Sequence, residues 1–129
     1  MAEDRGDIVR NSIQTPDGTV LESKHHHDYR NYTDENGEVY MVDGGHTYLR
    51  RSMNTIPAKS LDIFTKDDFT VVRQHLLWGS YGINGDQPKR YISLAKMQSG
   101  HIEAVLKLNI SLERKRLYEF ELEMRGINL

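Results

Sequence analysis

The sequence predicts an α+β fold, with an N-terminal antiparallel β-sheet followed by C-terminal helices. Two observations carry that expectation. Residues 11 to 65 break into short runs separated by turn signals: Pro16-Asp17-Gly18, Asp34-Glu35-Asn36-Gly37 and Asp43-Gly44-Gly45. From residue 66 on, apolar residues recur at helical spacing behind the capping residues Asp67-Asp68, Ser99 and Ser111.

In order, Asn11 to Thr15 and Thr19 to Ser23 are expected to form the first hairpin. Pro16 presets φ in its turn and Gly18 tolerates a positive φ. Tyr29 to Thr33 and Glu38 to Val42 form a second hairpin around an Asn-Gly turn. Asp43-Gly44-Gly45 leads into a strand over His46 to Met53, and beyond Pro57 a short strand covers Leu61 to Thr65. Asp67-Asp68 should cap a helix through Phe69, Val72, Leu76 and Leu77, with Gly79 as the residue that ends it. A glycine-punctuated turn and a strand from Arg90 to Leu94 follow. Ser99 starts a helix with Ile102, Val105 and Leu106, and Ser111 starts the last one, with Leu117, Phe120 and Met124 along one face.

A length of 129 residues predicts a single domain over 1–129, with 1–10 flexible, 11–65 mostly strands and 66–129 mostly helical. Seventeen basic against 19 acidic residues give a formal charge of −2, which argues against a dedicated duplex nucleic-acid binder. No cysteine is present, so disulfide and thiolate chemistry are excluded. The polar start MAEDRGDIVRN lacks the apolar core of a secretory signal, and no run of about 18 apolar residues predicts a membrane span.

The segment SKHHHDYRNYT raises the first chemical question. In a strand, His25, His27 and Tyr29 would share one face and His26, Asp28 and Arg30 the other. A His-x-His pair can ligate a transition metal, but it needs further ligands, for which His46, His75, His101 and Asp43 are available. The spacing matches no paired-ligand signature. A partly exposed polar strand, or a surface that meets a ligand's phosphate or base, accounts for the same residues.

Arg50 and Arg51 are neighbours in a predicted strand and must point to opposite faces. A guanidinium facing a packed layer needs a carboxylate (Asp28, Asp43 or Asp62), an oligomer interface or a bound anion. The run WGSYGINGDQP follows a helix instead of opening one, so it lacks the context of a phosphate-binding loop. Tyr81, between glycines, could present its ring to a base, and Trp78 at the helix end reads as core. In the last helix, ERKR and the acids after it describe a solvated face, with an apolar stripe available to a second subunit. No serine, threonine or lysine stands in a catalytic spacing to a base.

Five segments together form a pattern over most of the chain. They are an HxHDY-like stretch (His25, His27, Asp28, Tyr29), YxVDGGxxYLRR (Tyr40 to Arg51), WGxxGxxGxxPxxY (Trp78 to Tyr91), LxxMxxxHIxAxL (Leu94 to Leu106) and ELEMR (Glu121 to Arg125). This pattern resembles the first phage Thoeris anti-defence family. The resemblance implies a molecular sponge that binds glycocyclic ADP-ribose, a cyclic ADP-ribose-type signalling nucleotide made by TIR-domain enzymes, without cleaving it. Cyclic oligonucleotides are implied as ligands for some members. It further implies a homodimer or higher oligomer at work in the host bacterial cytoplasm, with no cofactor, no metal, no catalytic residue and no membrane.

By residue, the resemblance implies that Tyr81 stacks on the adenine, with Trp78 and Tyr91 as further aromatic contacts. It assigns the pyrophosphate to basic residues among His26, His27, Arg30, Arg50 and Arg51. Where the family interleaves arginines, this chain has histidines at 25 to 27, and neutral imidazole is a poorer anion partner than guanidinium. Two other classes stay open. One is a histidine- or metal-assisted phosphodiesterase built on His25-x-His27 and Asp28; the other is a protein-binding factor that uses the last helix.

Overall fold

Strand β1 (Ile8–Gln14) organises the first half of the chain. The structure, a computed structural model, describes residues 5–82 and 84–127. β1 pairs antiparallel with β2 (Val20–Ser23), from Asn11 opposite Ser23 to Gln14 opposite Val20. The expected turn closes this hairpin, with Gly18 at φ 93° and its N–H donating to Thr15 at 2.9 Å. On its other edge β1 takes up two short strands, β6 (Lys59–Ser60) and β7 (Ile63–Phe64). Residues 1–10 were expected to be flexible. Ile8 to Arg10 instead belong to β1, because their ladder with Ile63 and Phe64 satisfies the backbone and Val9 is buried; residues 1–4 lie outside the described residues.

The second sheet has the order β3 (Arg30–Thr33), β4 (Val39–Asp43), β5 (Arg50–Arg51). Its hairpin closes through the predicted Asn-Gly turn, where Asp34 N–H donates to Glu38 at 2.9 Å and Gly37 sits at φ 80°. The strand expected over His46 to Met53 shrinks to Arg50–Arg51. Residues 44 to 48 form a turn, because the N–H groups of Thr47 and Tyr48 both donate to the Gly44 carbonyl. Ile13, Tyr40 and Val42, with Leu21 and Ala58 against them, make the apolar centre of this unit.

From Asp67 on, the chain forms a second compact unit by its internal contacts. Each buries its own apolar cluster. Asp68 caps α1 (Phe69–His75) as expected, its carboxylate accepting from Thr70 N–H at 2.9 Å. The helix stops earlier than predicted. Leu76 turns to an extended conformation, and Leu77–Ser80 form β8, paired with β9 (Arg90–Ser93) from Leu77 opposite Ser93 to Ser80 opposite Arg90. Gly79 therefore does not end a helix. It stands opposite Tyr91, and a Cβ there would lie 2.6 Å from Lys89 Cε, so a side chain at 79 would displace the Lys89 stem.

Leu94–Lys96 form a single 3₁₀ turn, followed by α2 (Ser99–Leu106) and α3 (Leu112–Met124). Ser111 caps α3 through Arg114 N–H, whereas the N-cap of α2 is Gln98, one residue before the expected Ser99. Val72, Leu76, Leu94, Met97, Ile102, Val105 and Leu122 are buried, each contributing about 1.5–3 kcal/mol on full burial. The inward face of α3 is Tyr118, Glu121 and Leu122, while Phe120 and Met124 of the predicted stripe stay about half exposed. Glu121 is fully buried and held by two arginines, Arg73 at 2.7 and 2.8 Å and Arg125 at 2.8 Å. Arg125 also donates to the carbonyls of Met97 at 2.7 Å and Leu94 at 3.1 Å, tying α3 to the turn before α2. Among the described residues, no helix is long and apolar enough to cross a membrane.

Candidate ligand-binding site

The histidine run does not lie on a strand. β2 ends at Ser23, and His25 to Asp28 form a turn closed by the Asp28 N–H donating to the His25 carbonyl at 2.9 Å. Alternating faces are therefore lost, and the expectation of His25, His27 and Tyr29 on one side is replaced by a different grouping. Two bonds to the backbone make the turn. Asp28 Oδ2 accepts from Lys24 N–H at 2.8 Å, and Ser23 Oγ donates to the Asp28 carbonyl at 2.6 Å. His27 sits at φ 60°, the left-handed region that costs an L-residue about 1–2 kcal/mol.

The turn rests on the 44–48 turn. Gly45 N–H donates to Ser23 Oγ at 2.8 Å, and a Cβ on Gly45 would fall 2.3 Å from the His25 carbonyl carbon. Beneath them, the buried Asn11 amide lies within 3.1 Å of the carbonyls of Asp43, Gly45 and Tyr48. The result is a small exposed cluster. The His26 and His27 ring centroids are 3.7 Å apart, and both rings meet Tyr48 edge-on at 5.9 Å. His26 Nδ1 is 3.1 Å from Thr47 Oγ1 and His27 Nδ1 is 2.8 Å from the Tyr48 hydroxyl. That hydroxyl donates to Asp43 Oδ2 at 3.2 Å, and the same carboxylate oxygen lies 3.5 Å from Arg50. Asp43 Oδ1 is buried with no hydrogen-bond partner among the described residues.

The charges follow from these contacts. Burial pushes the Asp28 carboxyl up, but the Lys24 N–H, the Arg30 bond at 2.8 Å and the charge of His25 outweigh it, so its pKa falls below the ordinary value. Burial, reinforced by Asp43, pushes the Tyr48 phenol up. Its single proton is committed to Asp43, so the hydroxyl accepts from His27 Nδ1–H.

Five of the sequence-predicted residues thus fall in the first unit with unlike roles. His26, His27 and Arg50 join one cluster through Tyr48 and Asp43, and Arg30 is held on Asp28 at the end of the same turn. Arg51 points the other way, as strand alternation requires. It donates to Asn11 Oδ1 at 2.7 Å and Asp62 Oδ1 at 2.5 Å, which makes it a structural ion pair. Tyr48 and Asn11 are supporting residues that sequence reasoning missed, whereas Asp43 was named there as a candidate partner for the arginines and pairs with Arg50. The one available signal was the second glycine of Asp43-Gly44-Gly45, which continues a turn where a strand was expected.

The other three predicted residues lie in the second unit. Trp78, half-buried, packs edge-on against the buried Tyr118, with centroids 6.5 Å apart. Tyr81 is 52% exposed at the end of the hairpin, its carbonyl accepting from Gln87 N–H. Ile83 of the same run lies outside the described residues. Tyr91 lines an open groove of about 1410 Å³ together with Gln74, Arg90, Lys96, Gln98 and His101. Among the described residues, no three His, Asp or Glu side chains are grouped as a metal site. No family model, curated protein or solved structure matches the chain.

Proposed function

We propose that this chain is a phage immune-evasion protein that binds a cyclic ADP-ribose-type signal, glycocyclic ADP-ribose, and withholds it from Thoeris defence without cleaving it. The observation that carries the reading is the union of His26 and His27 with Arg50 through Tyr48 and Asp43. Two segments some 20 residues apart, each assigned to the pyrophosphate by the resemblance, form one exposed cluster. Relative strengths favour recruitment of Arg50 by an anion. Its contact with Asp43 is long at 3.5 Å and its side chain is 66% exposed, so that pair is worth about 0–1 kcal/mol. A charge-assisted bond to phosphate is worth about 1.5–3 kcal/mol. Arg51, bound inside to Asp62 and Asn11, takes no part. Tyr81, in the second unit, keeps an exposed ring, and the resemblance assigns the adenine to it. The protein acts as a homodimer or higher oligomer in the host bacterial cytoplasm.

The test is recovery of the signal. The chain is saturated with glycocyclic ADP-ribose, freed of excess ligand and heat-denatured, and the released nucleotide is analysed by mass spectrometry. Intact ligand in stoichiometric amount is expected. A hydrolysed product would replace sequestration by phosphodiesterase activity, and absence of bound nucleotide would remove the reading.

A further inference from the structure

The second unit carries a groove whose chemistry differs from the rest of the molecule. Gln74 of α1, Arg90 and Tyr91 of β9, Lys96, and Gln98 and His101 at the start of α2 contribute its polar wall. Among the described residues no Asp or Glu lines it, in a chain with 19 acidic residues. Elsewhere Arg10, Arg30, Arg50, Arg51, Arg73 and Arg125 each pair with a carboxylate. Arg90 and Lys96 are in no ion pair among the described residues. Tyr91 adds an aromatic surface, with Lys89 Nζ 5.1 Å from its ring centroid.

The groove is held in shape from behind. Glu121 is bonded to Arg73, next in sequence to Gln74, and to Arg125, whose guanidinium holds the carbonyls of Leu94, Ala95 and Met97 around Lys96. A preformed wall limits the ordering cost of binding. Two unpaired cations, side-chain amides able both to donate and to accept, and an aromatic ring fit a ligand with a small anionic group and a planar, hydrogen-bonding heterocycle. Two cations are too few to track a polynucleotide backbone, which needs a row of phosphate contacts.

We infer that this groove is a binding site for a mononucleotide, its phosphate held by Arg90 and Lys96 and its base lying against Tyr91 and the glutamine amides. Neither the cluster of the first unit nor the cyclic signal is required for it. The experiment titrates the full chain, labelled with ¹⁵N, with adenosine monophosphate, and in separate arms with adenosine, inorganic pyrophosphate and a single-stranded RNA hexamer. Adenosine monophosphate is expected to shift the amides of Gln98, Gly100 and His101. The double variant R90Q/K96Q is expected to weaken that binding at least tenfold, while R116Q, which removes an exposed cation outside the groove, leaves it unchanged. Arg90 and Lys96 are both exposed, so these changes spare the fold; Lys96→Glu alone, with its melting curve, is the second variant. Unshifted groove amides, an unaltered affinity in R90Q/K96Q and K96E, or binding of the RNA but not of the mononucleotide would each overturn the assignment. The probe is not the proposed signal, so failure here and failure of signal recovery are separate results.

Discussion

His27 Nδ1 lies 2.8 Å from the Tyr48 hydroxyl, which in turn donates to Asp43 Oδ2 at 3.2 Å. This chain of bonds explains why a histidine tolerates φ 60° at an exposed turn: the strain places its ring where a hydroxyl fixes the tautomer. It also joins the histidine turn to the carboxylate that loosely holds Arg50.

Tyr48→Phe should break that relay while preserving the ring contacts with His26 and His27. The lost bond to a buried carboxylate is expected to cost about 1–3 kcal/mol in urea unfolding. More diagnostic is the imidazole tautomer. Long-range ¹H–¹⁵N spectra should show His27 with its proton on Nδ1 in the native chain and a mixture in the variant. Identical tautomer populations in both would remove the relay.

Gly45 and Gly37 both have positive φ, 51° and 80°, yet alanine should act differently at the two. At Gly37 a Cβ meets open space, so Gly37→Ala should cost only the backbone strain, about 1–2 kcal/mol. At Gly45 a Cβ would fall 2.3 Å from the His25 backbone. Gly45→Ala must push the histidine turn away and should cost more, on the order of 3 kcal/mol, with displaced His26 and His27 resonances. Equal costs at the two sites, measured by urea unfolding, would mean that the turns are not in contact.

Much of this architecture was legible in local chemistry. Pro16-Asp17-Gly18 and Asn36-Gly37 dictate their hairpins whatever surrounds them, and Asp68 and Ser111 cap their helices with their own side chains. What escaped depends on distant partners. Residues 46 to 49 read as strand, but the Asn11 amide collects the carbonyls of Asp43, Gly45 and Tyr48 and holds a turn there. Leu77 to Ser80 read as the end of a helix, but pairing with residues 90 to 93 prevails. In the site, alternation correctly sent Arg50 and Arg51 apart, while the choice of Asp62 for Arg51 needed the fold. Tyr48 was missed because its role arises only when the two turns meet.

Glu121 is the buried charge on which the second unit depends. The bond from Arg73 lowers its pKa most; burial opposes this, and Arg125 adds to the lowering, so the carboxyl titrates below its ordinary value of 4.5. A depressed carboxylate pKa stabilises the fold fully above the unfolded value and loses that contribution as pH falls through the folded one. Glu121→Gln leaves two guanidinium groups without their anion, which costs about 3–5 kcal/mol for a buried pair. The lower end applies, since Arg73 and Arg125 keep 26% and 23% of their side chains exposed. The melting temperatures of native protein and Glu121→Gln should therefore differ most at neutral pH and converge as pH falls below 4.5. A difference constant across that range would show that Glu121 does not act through its charge.

Arg50 and Arg51 allow binding and stability to be separated within one dipeptide. Arg50 is 66% exposed and 3.5 Å from Asp43, so Arg50→Gln should change stability by less than about 1 kcal/mol. Its loss should nevertheless weaken binding of the cyclic ADP-ribose-type signal by roughly tenfold or more, the equivalent of one charge-assisted bond to phosphate. Arg51→Gln should do the reverse. Arg51 keeps only 24% of its side chain exposed, and its removal leaves Asp62 and the buried Asn11 carbonyl short of a donor. A cost of about 2–4 kcal/mol is expected in urea unfolding, with signal affinity retained by the folded fraction. If Arg51→Gln instead abolishes binding in a chain that melts like the native one, Arg51 holds the ligand and its pairing with Asp62 is incidental. If Arg50→Gln binds the signal as tightly as the native chain, the cluster around Tyr48 is not where the pyrophosphate sits.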